Sequence, residues 1–369
     1  MDGGGAGTRP GYSLERFRIL LGSMRFAHVA LEGLAHVLPE RIVRSEELEE
    51  RLGPVYERLG LRVGRLELMT GIAERRFWPA GTRPSSVAAA AAERALEESG
   101  VAREEVDYLI HASVCRDFLE PATASVVHAS LGLSPHCVAV DLSNACLGFV
   151  NSMALLGQLI ESGAIRTGLV VAGEDGRPLV EGTIERLLAD PDVSRASIKD
   201  DFASLTIGCG AAAAVLRHSE QSASPHRLLG AAQRVATQHH ALCSGDRATE
   251  GEGLRMSTDS EAMLHAGVEL AQQTFADFQR ELGWERSAIE RVVTHQVGRA
   301  HRKLLLERLE LDEALDHPTV ERLGNMGSVS VPITLDEARR QGVIQPGQQV
   351  ACLGIGSGLQ CQMLGLRLG

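Results

Sequence analysis

Two distant stretches of this chain carry the same punctuation, and that repeat restricts the possible folds more than any other feature. Around Cys146 the sequence reads NACLGFVNSMALLGQLIESGAIRTGLVV, and around Asn325 it reads GNMGSVSVPITLDEARRQGVIQPGQQVA. Gly163 and Gly168 follow Cys146 by 17 and 22 positions, and Gly342 and Gly347 follow Asn325 by the same 17 and 22. The tails ESGAIRTG and RQGVIQPG align without a gap. A glycine just past a helix adopts left-handed backbone at little cost, so each stretch reads as helix, glycine cap and strand. Glycine caps are common in unrelated αβ units, but four matched features in one register favour a unit used twice. The repeat places Cys146 and Asn325 at equivalent helix starts.

The rest of the sequence fits two such halves. Strand patterns fall at Phe26–Leu34, Val106–Val114, Cys137–Leu142, Leu169–Ala172 and Ala211–Leu216, with helices at Ser86–Ser99 and Leu147–Ser162. The polar stretch Ser219–Arg227 then separates residues 24–218 from residues 228–369. The second region repeats the style, with strands at Val292–His295 and Gln349–Leu353 and helices at Glu261–Leu282 and Arg299–Leu309. Alternating strands and helices predict an α/β layered fold. Residues 1–23 are glycine-rich at their start and read as a flexible tail, with a short amphipathic helix at Tyr12–Leu21. Met24 opens the first strand pattern and is itself a candidate start.

Composition excludes several classes of function. The 369 residues contain no apolar run of about 18 residues, the length that spans a bilayer, so no stable membrane insertion is expected. The N-terminus has no apolar core of a signal peptide. A net charge of -11 without a basic cluster, and only 4% aromatic residues, argue against nucleic acid as a partner. Seven scattered cysteines with no C-x-x-C pair suit a reducing cytoplasm, where most of them are small buried hydrophobes. His239, His240 and Cys243 have helix-compatible spacing but no fourth ligand nearby, and read as a surface cluster; no metal is expected.

From Met24 to its end the chain resembles the thiolase superfamily, in its ketoacyl-ACP synthase III branch. The residues that carry the resemblance are Thr70-Gly71-Ile72 with Glu74-Arg75-Arg76, Asn144-Ala145-Cys146, His295-Gln296, Gly324-Asn325-x-Gly327 and Gly354-Ile355-Gly356-Ser357-Gly358. Within the branch it is most similar to the enzymes that join two fatty acyl-CoA chains head to head. Arg116-Asp117-Phe118-Leu119-Glu120-Pro121, Gly208-Cys209-Gly210-Ala211 and His295-Gln296-Val297 carry that finer likeness. Ordinary synthases have Gly-Asp-Gly-Ala and His-Gln-Ala-Asn at the last two. The resemblance implies a five-layer αβαβα fold of two duplicated halves, a homodimer, and acyl-CoA or acyl-ACP thioesters as substrates with no other cofactor. Enzymes that process the condensed product downstream would be further partners.

The chemistry expected of each residue follows from its type and place. Cys146 lies between a strand pattern and a helix pattern, where the positive end of the helix dipole lowers a thiol pKa and makes a nucleophile. The other six cysteines have no such context. His295 ends the strand Val292–Thr294, where α/β folds commonly place active-site groups; alone it would more often be a core histidine, but with Cys146 it fits a Cys/His arrangement. Asn325, between two glycines, suits a turn. As a functional residue it would join His295 in donating to an enolate oxygen, at roughly 3 kcal/mol per donor.

Gly354–Gly358 looks like a dinucleotide loop, but only 11 residues follow Gly358, too few for the rest of such a motif. A tight strand-to-strand loop, with the Ser357 N–H aimed at the carbonyl of an acylated cysteine, fits better. Glu120 separates two reactions. A non-decarboxylative Claisen condensation needs a base for an α-proton, whereas loss of carbon dioxide from malonyl makes a carbanion without one, and a carboxylate there would repel malonate. By the resemblance, Glu120 reaches the active site of the partner subunit; without it, a solvated loop glutamate would be the plainer assignment. Glu161, Glu174 and Arg75 are structural candidates only.

The expected function is therefore condensation of two acyl-CoA molecules to a 2-alkyl-3-ketoacyl product through an acyl-Cys146 intermediate. A decarboxylative synthase or acyltransferase is the alternative, and a catalytically inactive partner subunit is the third.

Overall fold

The computed structural model describes residues 23–247 and 254–369. The expected tail, with its short helix at 12–21, lies outside the described residues apart from Ser23, which opens the strand Ser23–Arg25.

The duplication appears in the order of the strands. Those of the first half are, along the chain, Val29–Val37, Tyr108–His111, Val138–Asp141, Thr167–Glu174 and Gly210–His218. They lie side by side as first, fifth, fourth, second, third. In the second half Arg227–Val235, Arg291–Thr294, Gln348–Gly356 and Gln360–Leu368 take the first, second, fourth and fifth places. Directions repeat as well: second and fourth strands are parallel in each half, while the fifth runs antiparallel to the fourth and to the first. The third strand of the second half is reduced to one parallel bridge, Val292 to Asp316. The two first strands meet at Ala30 and Arg227, and Ser23–Arg25 pairs with Gly230 to Ala232, so both halves share one ten-stranded sheet.

Side chains alternate across a strand, and the core sorts accordingly. Leu109, Val171 and Ala213 face the outer helix Pro84–Ser99. Their neighbours Ile110, Val170 and Ala214 face inward, sharing a cluster with Val293 and Leu364 of the second half and with the helices Gly148–Glu161 and Ser330–Arg340. On the far side, Val292 and Leu353 pack against Phe275 and Phe278 of Ser260–Leu282 and Leu305 of Arg299–Leu309. Helix, first-half strands, helices, second-half strands, helix is the five-layer arrangement expected, the two strand layers being the two halves of the one sheet. Each fully buried Leu, Val or Phe contributes roughly 1.5–3 kcal/mol, so the central layer of helices, buried on both sides, is the most strongly held.

Several boundaries differ from expectation for local reasons. The first strand lies at Val29–Val37 rather than Phe26–Leu34, because Phe26 to His28 turn aside: Ala27 N and His28 N donate to the Glu161 carboxylate at 2.9 and 2.8 Å. The strand expected over Val106–Val114 stops at His111, where the chain bends to deliver the Val114 and Cys115 amides to Glu174. The polar stretch Ser219–Arg227 holds a short 3-10 turn, Ser219–Gln221, and Arg227 already belongs to the next strand. No helix among the described residues is long and apolar enough to cross a membrane.

Candidate active site

Cys146 occupies a sharp turn between the strand Val138–Asp141 and the helix Gly148–Glu161. The turn requires Ala145 at φ 46°, a left-handed backbone that costs a non-glycine residue about 1–3 kcal/mol. Its surroundings hold it there. Leu147 N donates to Asn144 O at 2.9 Å, and the Asn144 amide exchanges two hydrogen bonds with Gln360, at 3.1 and 3.0 Å. Asn144 also donates to Asn151, whose own NH2 reaches Gln362 at 2.7 Å. The turn of the first half is thereby fastened to the last strand of the second.

The acidity expected of Cys146 is not found. Burial pushes its thiol up to about 12, and Glu174 and Cys243 push in the same direction. The helix begins two residues later, and its dipole is outweighed by the loss of solvent around the sulfur. The resting group is a thiol that needs a base. The buried thiols of Cys115 and Cys209 are also pushed up.

His295 follows the strand Arg291–Thr294, and its N–H donates to Leu353 O at 2.8 Å on the neighbouring strand. That same neighbouring strand continues to Gly356, where an added Cβ would lie 3.6 Å from Cys146 N. Burial, with a smaller push from His301, depresses the His295 imidazole to about 3, so it is neutral near pH 7. Its Nδ1 is buried without a partner among the described residues. Gln296 serves a different purpose: its side-chain oxygen accepts from Thr319 N and Val320 N at 2.9 and 3.0 Å, steadying the segment that leads to Asn325.

Asn325 is not at the start of a long helix. It lies two residues before the 3-10 turn Gly327–Val329, which runs into Ser330–Arg340. Its backbone bonds on both sides with the approach to the strand Gly210–His218, Asn325 N to Thr206 O at 2.9 Å and Gly208 N to Asn325 O at 2.8 Å. This close pairing explains Gly208, whose missing Cβ would sit 2.1 Å from Leu323 O. The side-chain oxygen accepts from Gly327 N at 3.0 Å, which leaves the Asn325 NH2 as the outward donor.

Ser357 sits in the turn between the strands Gln348–Gly356 and Gln360–Leu368, as the tight-loop assignment expects, and its hydroxyl contacts Cys243 Sγ at 3.4 Å. Cys243 is thus no member of a surface cluster. His239 and His240 lie on a 3-10 turn, Thr237–Leu242, whereas Cys243 starts a strand that turns its sulfur toward Ser357 and Thr258. Among the described residues no group of three metal-binding side chains occurs.

Glu120 lies on a separate, exposed loop. It is exposed and makes no hydrogen bond or ion pair with the described residues. Its loop is nevertheless fixed: Asp117 accepts from Ser85 N and Oγ at 2.9 and 2.6 Å, and the Arg83 guanidinium lies 5.1 Å from the Phe118 ring centre. Beside it Phe118, Leu119 and Val114 are exposed, Leu119 by 80%.

A cavity of about 550 Å³ open to solvent escaped the sequence analysis. Arg62, Arg65, Arg195, Val63 and Leu68 line it. Arg195 is tied to Leu59 O and Gly60 O at 2.6 and 3.2 Å, while Arg62 and Arg65 form no ion pair among the described residues. One wall, the helix Arg65–Thr70, ends against Gly298, whose added Cβ would lie 3.1 Å from Thr70 O. Gly298 is three residues past His295. Three scattered arginines gave no local signal; only the fold brings them to one opening.

Known proteins resemble this chain along nearly its whole length. The family 3-oxoacyl-[acyl-carrier-protein] synthase III matches residues 140–233, and its C-terminal family matches residues 280–368. An acyl-CoA:acyl-CoA alkyltransferase of Shewanella oneidensis is 40% identical over 93% of this chain and 100% of its own. One from Xanthomonas campestris is 39% identical over 92% of this chain and 98% of its own. Crystal structures of Xanthomonas campestris OleA superpose with a TM-score of 0.88 at 38% identity, covering 93% of this chain and 99% of that one.

Proposed function

Since the chain belongs to the ketoacyl-ACP synthase III family of the thiolase superfamily, we propose that it condenses two fatty acyl-CoA molecules head to head by a non-decarboxylative Claisen reaction. The observation that carries this is the 40% identity, over 93% of the chain, to an acyl-CoA:acyl-CoA alkyltransferase.

In the first half-reaction Cys146 attacks the first thioester. Neutral His295 takes the thiol proton as the thioester is attacked and returns it to the departing CoA sulfur; both groups rest uncharged because burial disfavours either ion. The Ser357 N–H receives the carbonyl oxygen of the acyl-enzyme. In the second, Glu120 of a second copy of the chain removes an α-proton from the second acyl-CoA. The enolate oxygen is met by His295 and by the Asn325 NH2, the free end of an amide already oriented by Gly327. The enolate carbon attacks the acyl-Cys146 carbonyl, and collapse expels the Cys146 thiolate, leaving a 2-alkyl-3-ketoacyl-CoA. The chemistry runs on the thioesters with no added cofactor. The arginine-lined cavity receives CoA phosphates, since Arg62 and Arg65 form no ion pair among the described residues and stand at an opening whose wall reaches the His295 loop.

This assignment of Glu120 calls for a homodimer, and the sheet edge of the first half is open to one. The strand Val138–Asp141 is the outer strand of the first half, pairs on one side only and exposes Val138, and Phe118 and Leu119 are exposed beside Glu120.

The test is to supply acyl-CoA alone, and separately with malonyl-ACP, and to follow product by gas chromatography. Ketone-forming condensation from acyl-CoA alone is expected. A strict need for malonyl thioester would replace this function with the decarboxylative one, and absence of product in both would point to an inactive subunit. Cys146→Ala should lose the acyl adduct seen by mass spectrometry.

A further inference from the structure

Glu174, at the end of the strand Thr167–Glu174, is a buried carboxylate with four donors aimed at it. Val114 N and Cys115 N reach it at 2.9 and 3.1 Å, and Ser328 N and Oγ reach it at 3.2 and 2.5 Å. All four are donors. Burial pushes this carboxyl up, and the donors pull the other way: a protonated carboxyl would waste its own O–H against them, so the donor set favours the ionised form.

These donors come from two different segments of the site. Val114 and Cys115 open the loop that continues through Asp117, anchored on Ser85, to Glu120. Ser328 lies in the 3-10 turn just after Asn325, and the carboxylate packs against Gly327, whose missing Cβ would be 3.3 Å from Glu174 Oε1. Gly327 is the residue whose N–H orients the Asn325 amide. Glu174 therefore joins the base from behind its loop to the enolate donor from behind its turn, and its charge acts on Cys146.

We propose that Glu174 is a positioning residue for the condensation step: it fixes the Glu120 loop and the Asn325 turn relative to one another. The proposal rests on the condensing function above. It assigns Glu174 no contact with substrate. Its negative charge beside Cys146 works against free thiolate, so the residue aids condensation while keeping Cys146 in its thiol form.

That opposition supplies the test. In E174Q an amide oxygen keeps the place of Oε1 on Val114 and Ser328 while an NH2 faces Cys115 N, so the anchor is weakened on the loop side and the charge near Cys146 disappears. Condensation from acyl-CoA should fall about tenfold or more while acyl loading of Cys146 stays within about threefold of the wild type. Alkylation of Cys146 by iodoacetamide at pH 8, followed on the Cys146 peptide by mass spectrometry, should speed up about tenfold. A merely destabilised protein would also expose Cys146 and speed its alkylation, but it would lower the thermal midpoint and slow acyl loading as well, which E174Q should not. S328A removes one donor from the Asn325 side and no charge, so condensation should fall less and alkylation should not change; if E174Q does not fold, the S328A result decides.

An E174Q enzyme that condenses as fast as the wild type, or alkylates no faster, overturns the proposal, as does an S328A enzyme with undiminished condensation. A wild-type protein that loads an acyl group but condenses nothing overturns the proposed function and this inference together. Wild-type condensation beside an unimpaired E174Q overturns this inference alone.

Discussion

Asn144 and Gln360, 216 residues apart, hold each other through both amide groups, each donating to the other at 3.1 and 3.0 Å. Asn144 stands two residues before Cys146, and Gln360 three residues after Ser357. The nucleophile turn and the proposed oxyanion loop are therefore held in a fixed relation by one pair of side chains.

Replacing either amide with Ala should loosen the left-handed turn at Ala145 and slow acylation of Cys146 about tenfold, since each hydrogen bond contributes about 1 kcal/mol and its loss strands the partner. The double variant should cost less than the sum of the two, with a coupling of about 1–2 kcal/mol. Single-turnover acylation followed by mass spectrometry measures both. Strictly additive losses would mean that the pair does not act as a unit.

His295 and Asn325 are assigned to the enolate, so their loss should be felt mainly in condensation. Asn325→Ala should slow condensation on the order of 10²-fold and acylation much less. His295→Ala should slow both, because the neutral imidazole also serves the thiol. Separate rates for acyl loading and for product formation check this. Equal, mild losses in Asn325→Ala would reduce that residue to a turn former.

Glu120→Ala should still accept an acyl group at Cys146 and then stall, with the acyl-enzyme accumulating or leaking to free acid. Glu120→Asp, one methylene shorter, should recover part of the rate, because a base must sit within hydrogen-bond reach of the proton that it takes. Product by gas chromatography and occupancy by mass spectrometry are read side by side. Normal condensation by Glu120→Ala would remove the base from its assigned role.

Acid should weaken the fold before it protonates most carboxylates. Burial depresses His295 to about 3 and His111 to about 4, below the 6.5 of an exposed histidine. The unfolded chain then binds protons that the native one refuses. Stability is fully present above 6.5 and falls as pH drops from there toward the folded values, by about 1.4 kcal/mol per pH unit for each histidine. Glu174 and Asp316, whose carboxyls burial pushes up, act with the opposite sign, so the histidine share is read by comparison with a His295 variant across the window from about 6.5 to 5. Thermal midpoints across that window should decline, and His295→Asn should make the decline shallower. A flat midpoint would refute the buried neutral state.

The sequence made legible what is periodic or local. The matched glycines after Cys146 and Asn325 anticipated two halves whose strands repeat one order, and the helix Arg299–Leu309 lies where its pattern placed it. Long-range convergence was not legible. Nothing around Glu174 announces donors from 60 and 154 residues away, and nothing around Cys243 shows that its strand turns the sulfur to Ser357. Cys146 failed a local rule for the same reason: a helix start lowers a thiol pKa, but remote segments close over the sulfur and desolvation wins.

The missing third strand of the second half has a consequence for assembly. Where it would lie, Asp316 bridges to Val292 and takes Thr294 and Arg302, so the strand Arg291–Thr294 is partly covered by a charged loop. At the opposite end, Val138–Asp141 is uncovered. A sheet open at both ends can add chains without limit and grow into a filament; one stopped at a single end pairs through its two-fold axis and is then finished. In the proposed homodimer, an edge blocked at Arg291–Thr294 leaves only Val138–Asp141 to pair, so growth through sheet edges would stop at two copies.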